Sequence, residues 1–258
     1  MRIPTELIVA LRAAKKIAVL TGAGISAESG VPTFREAQTG LWQRFRPEEL
    51  ATPEAFQRDP ALVWKWYTWR RELIGRAEPN PGHYALARIE ALVPDFTLIT
   101  QNVDDLHRRA GSQSVIELHG NIQTTKCSLE GTVVDVLQTG SVPTEQQMQT
   151  GLPRCPQCGS LLRPDVVWFG ENLPALALEQ AWEKTRICDL FFSIGTSGLV
   201  QPAASLPWLA FEQGTPVVEI NPEQTPLSRA ATYTLQGPAG VILPELVRQT
   251  WEKPRRSS

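Results

Sequence analysis

Residues 17–27 read IAVLTGAGISA, an apolar run followed at once by two closely spaced glycines. The run is typical of a buried strand, and Gly-x-Gly-x-x-Ala after a strand resembles the turn that holds the pyrophosphate of a dinucleotide. Gly22 and Gly24 would let the backbone approach the phosphates, and the N-terminus of a following helix would supply amide donors. Taken alone, the pattern fits an ordinary tight turn between a strand and a helix as well.

Three further apolar runs end in Thr, Gly or Asn, like the first: residues 96–99, 190–194 and 217–220. The segments between them show the spacing of amphipathic helices, at residues 84–92, 176–187 and 199–211. This alternation predicts an α/β fold, a doubly wound parallel Rossmann-like sheet with helices on both faces. Ligands of such sheets bind at the carboxyl ends of the strands, so the residues just after each run are candidates for function.

Two segments interrupt the alternation. Residues 124–162 lose apolar periodicity and hold three of the four cysteines, so a metal would have to stabilise them in place of an apolar core. Residues 30–50 form an irregular stretch before a Trp-rich helix at about residues 60–75. We expect one catalytic unit over residues 1–258, in which two insertions build a smaller zinc-ribbon/helical domain. The large domain would comprise about residues 1–34, 76–122 and 163–258, and the insertions about residues 35–75 and 123–162.

Composition and charge restrict the class of protein. The chain has 258 residues, of which 42% are hydrophobic, so it can bury a substantial core. Its 25 basic and 27 acidic residues give a net charge of −2 without long runs of one sign, which disfavours nucleic acid and membrane surfaces as partners. No apolar stretch approaches the roughly 20 residues of a membrane span. We expect a cytoplasmic monomer that binds a small molecule or a peptide, although no sequence pattern fixes the oligomeric state.

Polar residues that follow the apolar runs at residues 96–99 and 115–118 suggest chemistry. The second strand ends in Thr100-Gln101-Asn102, where a dehydrogenase of this fold has an acidic residue, so ordinary hydride transfer is disfavoured. His119 follows the apolar residues 115–118, and a neutral imidazole can act as a general base near neutral pH. A lone histidine is more often structural. Asn102 and Asp104 change that balance, because an amide and a carboxylate suit ribose hydroxyls.

Six motifs, taken together, resemble the sirtuin family in order and spacing over about residues 10–250. They are GAGISAESGVPTFR (22–35), TQNVDDLH (100–107), ELHGN (117–121), RPDVVWFGE (163–171), GTSGLVQPAA (195–204) and INPE (220–223). The resemblance implies an NAD-dependent protein deacylase that acts on acylated-lysine proteins or peptides. NAD would be consumed as a co-substrate.

The resemblance also implies the reaction. Nicotinamide leaves as the carbonyl oxygen of an acyl-lysine attacks the anomeric carbon of the ribose, and His119 then deprotonates a ribose hydroxyl. The acyl group migrates, and O-acyl-ADP-ribose and free lysine are released. His119 and Asn102 are therefore the predicted catalytic residues.

For NAD binding, the resemblance implies that Gln101, Asn102 and Asp104 line the cleaved bond, while Phe34 and Arg35 belong to a loop that closes over the dinucleotide. Arg35 would pair with phosphate, although an isolated loop arginine is often only solvated. Residues after later strands would contact phosphate, ribose or adenine. The full predicted set is Gly22, Ala23, Gly24, Ala27, Phe34, Arg35, Gln101, Asn102, Asp104, Gly195, Thr196, Ser197, Asn221, Glu223 and Ala239.

Tyr67 and Arg70 bear on the choice of acyl group. They lie at positions i and i+3 of the Trp-rich helix, so a phenol and a guanidinium can project from one face toward a buried carboxylate. Tyr67-Thr68-Trp69-Arg70 resembles the motif of class III sirtuins, which remove succinyl and malonyl groups, and Ala51 resembles the small residue that widens their pocket. The segment Val166, Val167, Trp168, Phe169 and Gly170 resembles the strand that pairs with the substrate peptide.

The cysteines depart from the family pattern, which places C-x-x-C twice around a structural zinc. Cys155 and Cys158 keep the second pair, but Glu130 stands where the first pair, beginning at Cys127, should have its second thiolate. A carboxylate can ligate zinc, so two alternatives remain open. Three cysteines and Glu130 bind the zinc, or the site is weakened or lost. Cys188 lies in an apolar run and is expected in the core.

Other classes of function also remain open. An ADP-ribosyltransferase or NAD glycohydrolase on the same fold would release nicotinamide without an acyl-peptide. A binding module that senses NAD would not release it at all. A zinc-ribbon nucleic-acid binder is disfavoured by the near-neutral charge and the incomplete cysteine set.

Overall fold

The computed structural model describes residues 3–31, 47–134 and 151–252. These residues form nine strands: β1 (Lys16–Thr21), β2 (Asp95–Thr100), β3 (Val115–Glu117), β4 (Gly120–Cys127), β5 (Val133–Val134), β6 (Leu162–Val166), β7 (Leu190–Ile194), β8 (Val217–Asn221) and β9 (Tyr233–Gln236). They also form nine α-helices: α1 (Thr5–Ala13), α2 (Pro47–Leu50), α3 (Pro53–Arg58), α4 (Pro60–Gly75), α5 (Pro81–Glu90), α6 (Leu106–Arg109), α7 (Ala175–Ile187), α8 (Leu206–Glu212) and α9 (Ala239–Trp251).

The main sheet has six parallel strands in the order β3-β2-β1-β7-β8-β9. The order reverses between β1 and β7, so the connections leave these neighbouring strands in opposite directions. Such a switch point opens a crevice beyond the carboxyl ends of the strands. The predicted doubly wound sheet is confirmed.

Both faces of this sheet are covered. On β1, Ile17 and Val19 belong to a core cluster with α1, α5 and α9, whereas Ala18 and Leu20 belong to another cluster with α7 and α8. Successive side chains of a strand point to opposite faces, so a strand covered on both sides reads as a continuous apolar run. The uninterrupted sequence of residues 17–20 follows from this central position.

A smaller antiparallel sheet, in the order β5-β4-β6, packs with α3 and α4 around a third core cluster. Trp64 of α4 is fully buried there, and its indole Nε1 donates to the Leu162 carbonyl at 2.9 Å. Arg71 donates from Nη2 to the Thr124 carbonyl at 2.7 Å and from Nε to the Ile122 carbonyl. These bonds attach α4 to the small sheet and fix which of its faces points toward the main sheet.

Several predicted boundaries are wrong for identifiable reasons. The helix predicted at residues 84–92 begins at Pro81, because Asn80 caps it and proline is favoured in a first turn. The helix predicted at 199–211 begins only at Leu206, after a 3-10 turn. No α-helix directly follows the glycine loop: two 3-10 turns, Ala23–Ile25 and Ala27–Ser29, end at Gly30 with φ of 73°. Short 3-10 turns, and not an α-helix N-terminus, therefore supply the backbone amide donors at this position.

Among the described helices, none combines the length and the apolar character needed to cross a bilayer.

Candidate active site

The glycine loop packs directly on the end of β7. Gly24 donates its amide to the Gly195 carbonyl at 2.9 Å, and a Cβ on Gly24 would lie 2.7 Å from the Gly195 Cα. Gly195 itself has φ of 60°, and a Cβ there would meet the Ile25 amide at 2.5 Å. Any side chain at either position would separate the two loops, so the glycines are needed for this approach whether or not a phosphate is bound.

A cavity of about 400 Å³ opens where this loop, the end of β2 and the smaller core meet. It collects predicted residues from six separate segments of the chain. Those lining it are Ala23, Ala51, Tyr67, Arg70, Gln101, Asn102, Asp104, His119, Val166, Val167, Trp168, Phe169 and Gly170. Predicted nucleotide-binding, catalytic and acyl-binding groups thus share one space.

Ser26 organises the polar end of the cavity. It donates to the Asp104 carboxylate at 2.7 Å and accepts from the Asn102 side-chain nitrogen at 3.1 Å. Asn102 also donates to the Gly22 carbonyl at 3.1 Å. Both amide hydrogens of Asn102 are therefore used, and in the described part of the chain no group donates to its Oδ1. That oxygen can accept from a ligand hydroxyl or face a developing positive charge.

Asp104 is 5% exposed, and burial raises the pKa of its carboxyl, although the bonds from Ser26 and from the Leu106 amide oppose the shift. The following residue, Asp105, has φ of 62°, which among non-glycine residues Asp and Asn tolerate best. This left-handed residue caps the start of α6 and turns the chain sharply after Asp104.

His119 follows β3 and lies beside the end of β2. Its Nδ1 lies 2.9 Å from the Gln101 carbonyl oxygen, and its own carbonyl accepts from the Val167 amide at 2.9 Å. Burial lowers the pKa of the imidazole, with the Gln101 contact acting in the opposite direction. The ring is therefore neutral near pH 7, as a general base must be before it takes a proton.

Another part of the cavity lining is aromatic and cationic. Tyr67 and Arg70 of α4 are 1% and 6% exposed, and the Arg70 guanidinium lies 5.1 Å from the ring centroid of Trp66. Burial raises the pKa of Tyr67 to about 12, so its phenol stays protonated at every physiological pH. Burial lowers the pKa of Arg70, while Tyr67 and Asp104 oppose that shift. A guanidinium begins far enough above pH 7 to remain charged.

The segment from Val166 to Gly170 forms one wall, but only Val166 belongs to a strand. Three of its amides are already engaged: Val167 donates to the His119 carbonyl, Trp168 to the Glu171 carboxylate, and Phe169 to the Ala51 carbonyl. A substrate peptide that pairs with this wall would have to bond to other backbone groups of the wall, chiefly to the wall's carbonyl oxygens.

Among the described residues, the other predicted NAD residues do not line this cavity. Gly22, Gly24, Ala27, Gly195, Thr196, Ser197, Asn221, Glu223 and Ala239 follow β1, β7 and β8 or begin α9. Within this group, Asn221 donates to the Thr196 carbonyl at 2.8 Å and joins the ends of β7 and β8. The Thr196 hydroxyl lies 3.3 Å from that of Ser193, so it faces inward, while Ser197 is exposed. Phe34 and Arg35 lie outside the described residues.

The sequence did not identify Ser26, Asn80 and His83. Asn80 donates to the Ile25 carbonyl at 2.7 Å, and His83 accepts the Asn80 amide at Nδ1 while its Nε2 lies 3.4 Å from Ser26. Asn80-Pro81 is a recognisable helix start, and that signal could have predicted the cap of α5. Its contact with the glycine loop, 51 to 57 residues away in sequence, leaves no local pattern.

The cysteine cluster has three members. The Sγ atoms of Cys127, Cys155 and Cys158 all lie within 4.8 Å of one another, and those of Cys127 and Cys158 are 3.5 Å apart. Sulfurs around a tetrahedral zinc lie about 3.8 Å apart for Zn–S bonds of about 2.3 Å, so the cluster fits zinc. Glu130 does not belong to it: the residue is exposed, and its backbone amide, not its carboxylate, approaches Cys127 at 3.5 Å. Cys188 is buried near the main sheet, as expected.

Comparison with known proteins agrees with these observations. The model of the Sir2 family matches residues 22–202. A protein of Methylococcus capsulatus named NAD-dependent protein deacylase is 50% identical over 250 residues, which cover 96% of this chain and 97% of that protein. A relative from Archaeoglobus fulgidus, NAD-dependent protein deacylase 1, is 49% identical over 94% of this chain and 96% of its own length.

Solved structures give the same result. A crystal structure of a Sir2 homolog–NAD complex matches with a TM-score of 0.87 and 48% identity over 96% of this chain and 94% of that one. A complex described as Sir2-p53 peptide-NAD+ matches with a TM-score of 0.82 and 31% identity over 96% and 98% of the two chains. Sequence identity near one half along almost the whole chain, with the same fold, makes this protein a member of the Sir2 family.

Proposed function

We propose that this protein is an NAD-dependent protein-lysine deacylase that prefers the acidic succinyl and malonyl groups and retains some deacetylation. One observation carries the proposal: a single cavity is lined both by His119, Asn102 and Asp104 and by the buried pair Tyr67 and Arg70. A lysine carrying an acyl group could therefore present its amide to the first set and its acyl tail to the second. The shared names of the relatives support the deacylase part of the proposal.

The polar end fits a nucleotide sugar. Asn102 offers Oδ1 and Asp104 offers a carboxylate, and Ser26 holds both in place. When bound, NAD supplies the activated ribose carbon, with nicotinamide as the leaving group. The protein contributes an oxygen-rich wall beside that carbon. His119 would remove the proton of a ribose hydroxyl, which requires one nitrogen of the ring to be unprotonated.

The acyl end explains the preference. A carboxylate that enters the cavity loses water, and it needs a charged, hydrogen-bonding partner to offset that cost. Arg70 offers a planar fork of donors, and Tyr67 adds a phenol that stays protonated. An acetyl group gains nothing from either, so it should be accepted less well. The products would be nicotinamide, O-acyl-ADP-ribose and free lysine.

The test is a matched set of peptides. One peptide sequence carrying acetyl-, succinyl- or malonyl-lysine is incubated with the protein, with and without NAD, and deacylated peptide and nicotinamide are measured. We expect equal amounts of both products, only when peptide and NAD are present together, and higher kcat/KM for the acidic groups. Nicotinamide release without peptide would favour an NAD glycohydrolase or ADP-ribosyltransferase. No release with any peptide would favour a binding module.

A further inference from the structure

Trp168 forms a hydrogen bond that links the peptide-facing wall to the acyl end of the cavity. Its indole Nε1 lies 2.9 Å from the Tyr67 hydroxyl oxygen, and both side chains are nearly fully buried. An indole nitrogen can only donate, so the Tyr67 oxygen is the acceptor in this bond. The proton of Tyr67 is therefore not used here and can be donated to another oxygen.

Two side chains pack against the indole. The Arg163 guanidinium lies 3.2 Å from the Trp168 ring centroid, and the Phe56 ring lies 5.3 Å away at an angle of 45°. Glu171 fixes the backbone as well, because its carboxylate accepts from the Trp168 amide at 2.8 Å and from Arg163 Nη2 at 2.9 Å. These contacts and the burial of the side chain restrict rotation of the ring. The position of its N–H is thus set by the fold.

This arrangement determines where Tyr67 points its hydroxyl. A phenol oxygen has one proton and accepts in the plane of its ring, so an acceptor site occupied by Trp168 restricts the directions left for donation. Arg70, one turn further along α4, lies on the same face of the helix. A carboxylate bound by Arg70 would therefore find the Tyr67 proton already directed away from Trp168.

We propose that Trp168 is a positioning residue for acyl specificity, which orients the Tyr67 hydroxyl to donate to the carboxylate of a succinyl or malonyl group. The inference rests on the proposed acyl preference and assigns a side-chain role to a residue whose sequence context suggested only backbone pairing. A phenylalanine at this position would fill much of the same space between Arg163 and Phe56. It would leave the Tyr67 hydroxyl without its donor and free to rotate.

The experiment is a double-mutant cycle with Trp168→Phe, Tyr67→Phe and the double variant. The ratio of kcat/KM for succinyl- over acetyl-lysine peptide is measured for each. We expect Trp168→Phe to lower this ratio roughly three- to tenfold, the usual range for one hydrogen bond, because the succinyl peptide loses more kcat/KM than the acetyl peptide. In the Tyr67→Phe background the same substitution should leave the ratio unchanged, because the hydroxyl on which Trp168 acts is absent. Thermal unfolding of each variant checks the fold.

Equal losses on both peptides, or the same drop in ratio in both backgrounds, would overturn the inference and leave Trp168 as a packing residue. A separate readout distinguishes this failure from failure of the proposed function. If the unmodified protein turns over no peptide, fluorescence anisotropy of labelled succinyl- and acetyl-lysine peptides still tests Trp168. Selective loss of succinyl-peptide affinity in Trp168→Phe supports the inference. An equal change, or no change, in the affinity of Trp168→Phe for the two peptides refutes it, whereas equal affinity of the unmodified protein for both peptides refutes the proposed acyl preference.

Discussion

The Nδ1 atom of His119 lies 2.9 Å from the carbonyl oxygen of Gln101. A carbonyl oxygen can only accept, so in the neutral ring Nδ1 carries the hydrogen and Nε2 is left with its lone pair. The backbone of the neighbouring strand end therefore selects the tautomer that a base in this cavity requires.

The first prediction concerns pH. Burial lowers the pKa of His119 below its ordinary 6.5, so the ring is already neutral at pH 7 and becomes protonated only in more acidic solution. We expect kcat/KM to fall as the pH falls, with the midpoint of this acid limb below 6.5. Measuring kcat/KM at a series of pH values between 5 and 8 tests this. A midpoint above 7 would contradict it, because the base would then be charged at neutral pH.

Replacing His119 with tyrosine tests its role as general base by removing the imidazole. Loss of a general base costs typically 10²–10⁴-fold in rate, so His119→Tyr should reduce turnover of every acyl-peptide by about that factor. NAD binding, followed by calorimetry, should persist because Asn102, Ser26 and Asp104 are untouched. A variant with normal turnover would remove His119 from the mechanism.

Arg70 should separate acidic from neutral acyl groups. Arg70→Met keeps an unbranched apolar stem but removes the charge and the fork of donors. We expect desuccinylation to fall by at least about tenfold, the scale of one charge-assisted hydrogen bond of 1.5–3 kcal/mol, while deacetylation changes little. Arg70→Lys serves as the control, since it keeps the charge without the fork. Its desuccinylation activity should lie between those of the unmodified protein and Arg70→Met. Parallel losses on all acyl groups would exclude the proposed carboxylate contact.

For the cysteine cluster, the geometry predicts three thiolate ligands and no role for Glu130. Glu130→Ala should leave zinc content and the rate of zinc loss to a chelator unchanged, whereas Cys158→Ser should lower zinc content. Glu130→Cys should slow zinc loss, because a fourth thiolate would complete the tetrahedral set. Zinc loss from Glu130→Ala as fast as from Cys158→Ser would mean that the carboxylate does reach the metal in solution.

His83 should make stability depend on pH. Burial lowers its pKa to about 4, whereas in the unfolded chain it titrates near 6.5. The folded state therefore binds fewer protons between these values, so its stabilisation is complete above pH 6.5 and is lost as the pH falls toward 4. By pH 5 the loss is about 2 kcal/mol in the free energy of unfolding. Urea unfolding gives the free energy of unfolding at pH 7 and pH 5 for the unmodified protein and for His83→Gln. The decrease between the two pH values should be smaller in His83→Gln by about that amount. Identical decreases in both proteins would contradict the prediction.

The fold could be predicted from the sequence where its causes are local. The central strand at residues 17–20 and the helix at residues 60–75 are set by short apolar patterns, and both are confirmed. The same holds for Tyr67 and Arg70, whose common face follows from helical spacing alone. Their meeting with His119 and Asn102 in one cavity was predicted only through resemblance to a family.

What could not be predicted depends on contacts between distant segments. Trp168 and Tyr67 are 101 residues apart, and Ser26 and Asp104 are 78 apart, so no periodicity indicates either bond. The Glu130 prediction is a different case: residue chemistry permitted a zinc ligand, but the carboxylate is exposed outside the cluster. The sequence shows which side chains could bind a metal or a ligand, but only tertiary packing decides which of them come together in one site.

The most direct test is a crystal structure of the protein with NAD and a succinyl-lysine peptide, captured in the His119→Tyr variant to prevent turnover. It should show the nicotinamide ribose between residue 119 and Asn102, with the succinyl carboxylate on Arg70 and Tyr67. A ribose bound elsewhere along the sheet, with the side chains of 102 and 119 facing no ligand, would contradict the proposed mechanism.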